Sequence, residues 1–278
     1  MRFGVALGAM HPSMFATAAE AADTLGFESV WLPEHLVLPV DMAGSPFVGT
    51  EHPPVPPSTP VFDAFAYLSF LAGRTTRVRL GTHVYNLALR SPFVAARSVQ
   101  TLDIVSGGRV ELGVGAGWLR GEWRAAGLDF DGRGRRLDEA LEVCRRLWTE
   151  AEVAHHGDYF DFDAVMFEPK PVQRPHPPIL VGGESPAALA RAARHDGWIG
   201  LDHTALSAAP LVDALARLRT EAGRGDVPFT HTVGAAIADD ADVEPLAAIG
   251  VDRVIVRPWA RTREVPDALE RFARRFIG

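Results

Sequence analysis

Eight short β-rich runs recur along this chain, and patterns of helical period separate each from the next. The runs are RFGVALG (2–8), ESVWLPE (28–34), RVRLGTHV (77–84), RVELGVG (109–115), PILVGG (178–183), GWIGL (197–201), HTVGAAI (231–237) and RVIVRP (253–258). Most are continuously apolar instead of alternating, as parallel strands covered on both faces must be. Strict alternation of about eight strand–helix pairs predicts an α/β fold, a (β/α)8 TIM barrel, ahead of an open doubly wound sheet. At 278 residues the chain fits one such barrel, so 1–278 is read as a single domain.

Local chemistry punctuates the helices. Ser91-Pro92, Thr59-Pro60 and Ser185-Pro186 each set a capping residue before a proline at the first helical position. Gly26 and Gly107 stand where a left-handed residue would end a helix. Val94, Ser98, Leu102 and Val105 would line one face of the third helix, and Leu137, Leu141, Cys144 and Trp148 one face of the fourth. Two insertions break the rhythm. Residues 36–60, proline-rich and aperiodic, follow the second strand and would hang over the barrel mouth as a substrate lid, or else form a passive loop. Residues 151–177 follow the fourth helix, and GDYFDFD within them can form a short hairpin.

Composition excludes several classes. A formal charge of −7 opposes nonspecific nucleic-acid binding, which needs a basic surface. The single cysteine, Cys144, excludes an internal disulfide and a cysteine-based zinc site, and its helical neighbours predict a buried thiol. No apolar run approaches the 18 or so residues of a membrane span, and MRFGVALGAM does not resemble a secretory signal, so the cytoplasm is the default location. GRGRRLDEALEVCRRLW reads as a solvated helix face, with Asp138, Glu139 and Glu142 as partners for its arginines, in preference to a nucleic-acid patch.

Barrel enzymes build their sites at the carboxyl ends of the strands. Those ends carry His35, His83, the segment Gly115, Ala116, Gly117 and Trp118, the segment Gly182, Gly183, Glu184 and Ser185, then Asp202-His203, Arg257 and Trp259. Glycines there can bare backbone N–H groups to a ligand, although a turn is the usual reason for a lone Gly-x-Gly. VGGESP opens a helix, where free N–H groups favour an anion. Two such loops suggest a planar ring carrying a phosphate. No Walker loop is present, and the first strand–helix turn lacks G-x-G-x-x-G, so a dinucleotide fold is disfavoured. His35 can donate a hydrogen bond or shuttle a proton, with Glu34 orienting it or pairing with an arginine. A zinc hydrolase could gather His35, His83 and Asp202-His203, yet ALGAM offers no ligand at the first strand's end.

These residues resemble the bacterial luciferase-like monooxygenases and oxidoreductases, in particular the branch dependent on the deazaflavin coenzyme F420. The likeness runs through GFESVWLPEHLVLP, RVRLGTHVYNLALRSPFVAARSVQTLDIVSGGRVELGVGAGW, GRGRRLDEALEVCRRLW and FEPKPVQRPHPPILVGGESPAALARAARHDGW. The resemblance implies a barrel with an isoalloxazine-type ring at its mouth and a non-prolyl cis peptide at His83-Val84 beneath it. It places ring and phosphate contacts on Gly115 to Trp118 and on Gly182 to Ser185, and the mouth histidine at His35. Glu34 departs from the aspartate often found before that histidine. A sugar-phosphate substrate would need basic residues, and Lys170 is the only lysine.

The expected function is hydride transfer to or from a small organic substrate through F420, with Trp118, Trp259 and the 36–60 loop shaping an apolar pocket. FMN users share SGGRVELGVGAGW, so a monooxygenase fed reduced FMN by a separate reductase is the alternative. A non-catalytic cofactor carrier on the same barrel is the reading from another class. Relatives of this kind often pair, and a homodimer is the commonest symmetric assembly, although no interface stripe stands out.

Overall fold

Each of the eight apolar runs becomes a strand in the computed structural model, which describes residues 1–45 and 55–278. In chain order the strands are β1 (Arg2–Ala6), β2 (Ser29–Leu32), β3 (Arg79–Thr82), β4 (Val110–Val114), β5 (Glu152–His156), β6 (Asp161–Met166), β7 (Ile179–Gly182), β8 (Gly197–Asp202), β9 (Thr230–Gly234) and β10 (Arg253–Val256). Eight of them close a parallel barrel in the order β1-β10-β9-β8-β7-β4-β3-β2, while β5 and β6 pair antiparallel outside it. The TIM-barrel expectation therefore holds. The second insertion is a hairpin whose strands reach beyond the GDYFDFD segment at both ends.

Helices α1 (Phe15–Leu25), α2 (Ala64–Ala72), α3 (Pro92–Val105), α4 (Arg120–Ala125), α5 (Arg133–Thr149), α6 (Pro186–Ala192), α7 (Ala205–Glu221), α8 (Asp240–Ala248) and α9 (Val265–Phe276) connect the strands. Gly26 ends α1 at φ 86°, and Gly107 follows α3 at φ 67°, both left-handed as expected. Ser185 caps α6 by accepting from the N–H of Ala188. Thr59-Pro60 does not open a helix. The cap of α2 is Asp63, whose Oδ1 accepts from Ala66 N at 2.8 Å. The predicted face of α3 is also wrong in part: Val94 and Val105 are 60% and 57% exposed, and Ala95, Ala96, Val99 and Leu102 form the buried face. Small residues fill that contact because α3 lies close against α5 and β4.

The face expected for the fourth long helix is buried on α5, where burial pushes the Cys144 thiol pKa up and leaves it inert. Arg135, Glu142 and Arg145 of α5 are exposed as a solvated face requires, but Asp138 and Glu139 find their partners off the helix. Asp138 binds Arg191 and Arg194, and Glu139 accepts from His155 and from the N–H groups of Tyr159 and Phe160. Lys170 donates to the carbonyls of Leu147, Glu150 and Phe167, which fastens the second insertion to the end of α5.

Trp31 fills the middle of the barrel. Its indole donates to Ser29 Oγ at 2.8 Å, and a Cβ at Gly81 would come within 2.4 Å of its ring. Around it pack Leu180, Ile199 and Ile255, with Ala6 and Val84 above. Below it the fully buried Arg253 forks onto Glu28 at 2.7 and 2.8 Å and onto Glu111 at 2.9 Å. One end of the barrel interior is thus ionic and sealed. The other end, where the strands finish, is the rim.

Among the described residues no helix is long and apolar enough to cross a membrane. The lid expectation falls partly on residues 46–54, which lie outside the described residues. The start of that loop runs along α4, with Pro39 against Gly121.

Candidate active site

At the rim, His35 follows β2 and turns its Nδ1 to Glu122 Oε2 at 3.0 Å. Glu122 belongs to α4 and has no solvent exposure. Its other oxygen accepts the N–H of Leu36 at 2.5 Å. Trp118 stands edge-on to the imidazole, with ring centroids 6.0 Å apart and planes at 86°. His35 Nε2 has no partner among the described residues, so the ring is held on one side and free on the other.

Glu34 does not orient His35. Its carboxylate turns to Arg90 and accepts the N–H of Asn86 at 3.0 Å, the arginine pairing that the sequence left open. Burial raises the Glu34 pKa, with Glu122 adding to the rise, while Arg90 and the Asn86 N–H oppose it. Arg90 also lies over the Tyr85 ring at 4.5 Å, which ties the β2 and β3 loops together.

The floor of the rim comes from β3. The His83-Val84 peptide is cis, as the resemblance implied. His83 Nε2 donates to Gly200 O at 3.1 Å, and burial holds its pKa below the ordinary value. Val84 sits between two of the glycines. A Cβ at Gly115 would lie 2.7 Å from Val84 Cγ2, and one at Gly182 would lie 2.9 Å from Val84 Cγ1. Neighbouring packing is therefore the first reason for these glycines, where the sequence offered ligand approach or a turn. Gly115→Ala is expected to cost about 1–3 kcal/mol by overpacking. Thermal unfolding of Gly115→Ala, alone and with Val84→Ala, tests this: the second change should restore the midpoint, and an unshifted single variant would refute the contact.

The turn glycines differ. Gly117 has φ 74° and Gly183 φ 106°, conformations that disfavour any side chain. Half-buried Ala116 lies between Gly115 and Gly117. The N–H groups of Ala116, Gly117, Gly183 and Glu184 have no acceptor among the described residues. Both turns follow neighbouring parallel strands, β4 and β7, so they share one rim. The helix α6 has only seven residues, so the turn's own N–H groups offer more to an anion than its dipole. Glu184 accepts from His203 Nε2 at 2.9 Å, and that bond lowers its pKa against the effect of burial. His203 Nδ1 meets Ser207 Oγ at 3.1 Å, so both ring nitrogens are engaged.

Other rim candidates are engaged elsewhere. Asp202 pairs with Arg257 at 2.8 Å, both half-exposed or more. Trp259 is buried, and its indole donates to Ala9 O at 3.0 Å, joining the β10 and β1 loops. Among the described residues no group of three His, Cys, Asp or Glu side chains could hold a metal ion. A cavity of about 710 Å³ opens between α5 and the hairpin, but its Asp138 and Glu139 already hold Arg191 and His155.

Sequence reasoning missed Glu122 and Arg90. GWLRGEW does place an acid on a helical turn just past the glycine segment, yet nothing local points it at a histidine 87 residues earlier.

A closed parallel barrel with a histidine, a hydrophobic floor and two glycine turns on its carboxyl rim defines a barrel of the cofactor- or substrate-binding kind. The chain belongs to the luciferase-like monooxygenase family, whose model matches residues 1–249. It is 32% identical over 259 residues to an uncharacterised protein of Mycobacterium tuberculosis, covering 92% of this chain and 88% of that protein. A 111-residue stretch is 41% identical to an FMNH2-dependent dimethylsulfone monooxygenase of Pseudomonas putida, covering 39% of this chain and 31% of that enzyme. The solved structure of a coenzyme F420-dependent tetrahydromethanopterin reductase from Methanopyrus kandleri superposes with a TM-score of 0.80 at 17% identity, covering 99% of this chain and 98% of that one. At that identity the likeness concerns the fold alone.

Proposed function

We propose that this protein is an F420-dependent oxidoreductase that moves a hydride to or from a small organic substrate. The observation that carries the reading is His35, braced by Glu122 and with no partner for Nε2 among the described residues, on the same rim as the Val84 floor and the two glycine turns. These residues fit a flat ring with an anionic tail. Val84 and Ala6 offer an apolar floor, flat because Gly115 and Gly182 carry no side chains beside it. The N–H groups of Ala116, Gly117, Gly183 and Glu184, without an acceptor among the described residues, suit the ring's carbonyls and an anionic group. Bound there, the deazaflavin supplies the redox chemistry. The protein's own part is position and proton handling: Trp118 walls the pocket beside His35, and His35 Nε2 exchanges a proton with the substrate. The chain works as one barrel domain, as a homodimer in the cytoplasm, and Trp259 serves the barrel by joining the β10 and β1 loops.

A second reading, a monooxygenase taking reduced FMN from a separate reductase, is favoured by the stretch similar to the FMNH2-dependent sulfone monooxygenase. Titrating the protein with F420 and with FMN, and following the fluorescence of each ring, separates the two. F420 should bind with a micromolar dissociation constant and FMN at least about tenfold more weakly, a gap of about 1.4 kcal/mol. Tight FMN binding with none of F420 would reverse the assignment.

A further inference from the structure

We propose that Glu122 is a positioning residue that fixes His35 as the Nδ1–H tautomer, leaving Nε2 as a lone-pair acceptor toward the rim. The inference deepens the reading of His35 as the proton-exchanging group of a redox site, and rests on it.

Glu122 has no contact with water, and its two oxygens have different partners. Oε1 takes the Leu36 N–H at 2.5 Å, a group that can only donate. Oε2 faces His35 Nδ1 at 3.0 Å. A carboxylate this deeply buried is stable only when its oxygens accept hydrogen bonds, so the ionised form calls for a proton on Nδ1. The neighbouring buried acid, Glu34, already has Arg90, which leaves that guanidinium no role at Glu122. His35 and Leu36 are consecutive, so a single carboxyl grips both the ring and the backbone beside it. The ring cannot turn without losing that bond, and Trp118 blocks one flank. The imidazole's second nitrogen is thereby aimed and its polarity chosen.

The opposite arrangement is chemically defined. A protonated Glu122 would donate to Nδ1 and place the ring proton on Nε2. Glutamine does the same by design: in Glu122→Gln the amide oxygen accepts from Leu36 and the amide N–H donates to Nδ1, with little change of shape.

Long-range 1H–15N correlation spectra of the full chain without cofactor, at pH 8, read the tautomer directly. Loss of a signal in His35→Ala assigns it. The wild type should show a protonated Nδ1 and a bare Nε2, and Glu122→Gln the reverse. Glu122→Asp, which keeps an acceptor, should retain the wild-type tautomer. In turnover with F420, Glu122→Gln should lower kcat about 100-fold or more, with the F420 dissociation constant held within about threefold. An Nε2–H ring in the wild type, or an unchanged tautomer in Glu122→Gln, overturns the proposal. If Glu122→Gln does not fold, the wild-type spectrum alone decides. Because the spectra need no cofactor, failure of F420 to bind would strike the redox reading and leave the tautomer result standing.

Discussion

Replacing Arg253 with methionine is expected to lower the free energy of unfolding by about 3–5 kcal/mol, near the top of the range for one side chain. The guanidinium is fully buried at the sealed end of the barrel, where it bridges three strands and the residue preceding β2. It forks onto Glu28, which precedes β2, and onto Glu111 of β4, and donates to Thr232 Oγ1 of β9 at 3.2 Å. Burial opposes its charge, yet Glu111 and Glu28 together hold its pKa above the ordinary value. Methionine fills much of the same volume but leaves Glu28 with the Ser29 hydroxyl and a long contact to Arg2 at 3.6 Å, and Glu111 with Arg79. Loss of compensation for buried carboxylates, not loss of packing, is the source of the cost. Arg253→Lys separates the two, because it keeps a charge and gives up the paired forks, so its loss should fall between wild type and methionine.

Acid supplies a second check on the same network. Burial would raise the Glu28 pKa, but the bonds from Arg253 outweigh it and hold the pKa below the usual 4.5. A carboxylate lowered in this way stabilises the fold above its unfolded pKa, and that stability is lost as pH falls through the folded one. The gap between wild type and Arg253→Met should therefore narrow in acid. Denaturant titrations at neutral pH and below about pH 4 measure both effects, and a neutral-pH difference under about 1 kcal/mol would refute the account.

That network also marks where legibility in the sequence stops. The eight strands were readable because a parallel barrel buries both faces of each strand, and long apolar runs such as PILVGG and RVIVRP carry that demand locally. Glu111 within RVELGVG is invisible by the same logic: its inward direction and its partner 142 residues later exist only once the barrel closes. The face of α3 was misread for another reason. Alanines line its buried side, and hydrophobicity alone favoured Val94 and Val105, which face outward. At the rim, the glycine turns and His35 stood out as residue types in place, whereas Val84 as the reason for Gly115 and Gly182 did not. Glu122 and Arg90 divide the partners of His35 and Glu34 by geometry that no spacing encodes.

His35→Ala is expected to lower kcat by about 100- to 10,000-fold, the usual worth of a positioned proton-transfer group, while F420 affinity changes less than about threefold. The asymmetry follows from the geometry. The ring's Nδ1 is held by Glu122, so on the proposed reading Nε2 is the atom that meets the substrate, whereas the floor and the turns are supplied by Val84 and by backbone N–H groups. Alanine also leaves the buried Glu122 one donor short, which should cost about 1–3 kcal/mol of stability. Turnover must therefore be compared well below the unfolding midpoint, where the folded fraction is the same for both proteins. A carrier of the cofactor would retain its ligand in this variant and have no turnover to lose, so activity in the wild type with loss in His35→Ala excludes it. Unchanged kcat would remove His35 from the chemistry. A 100-fold loss of F420 affinity at unchanged kcat would instead make it a binding group, because an interaction equally strong in ground and transition states alters binding without altering the rate of the bound complex.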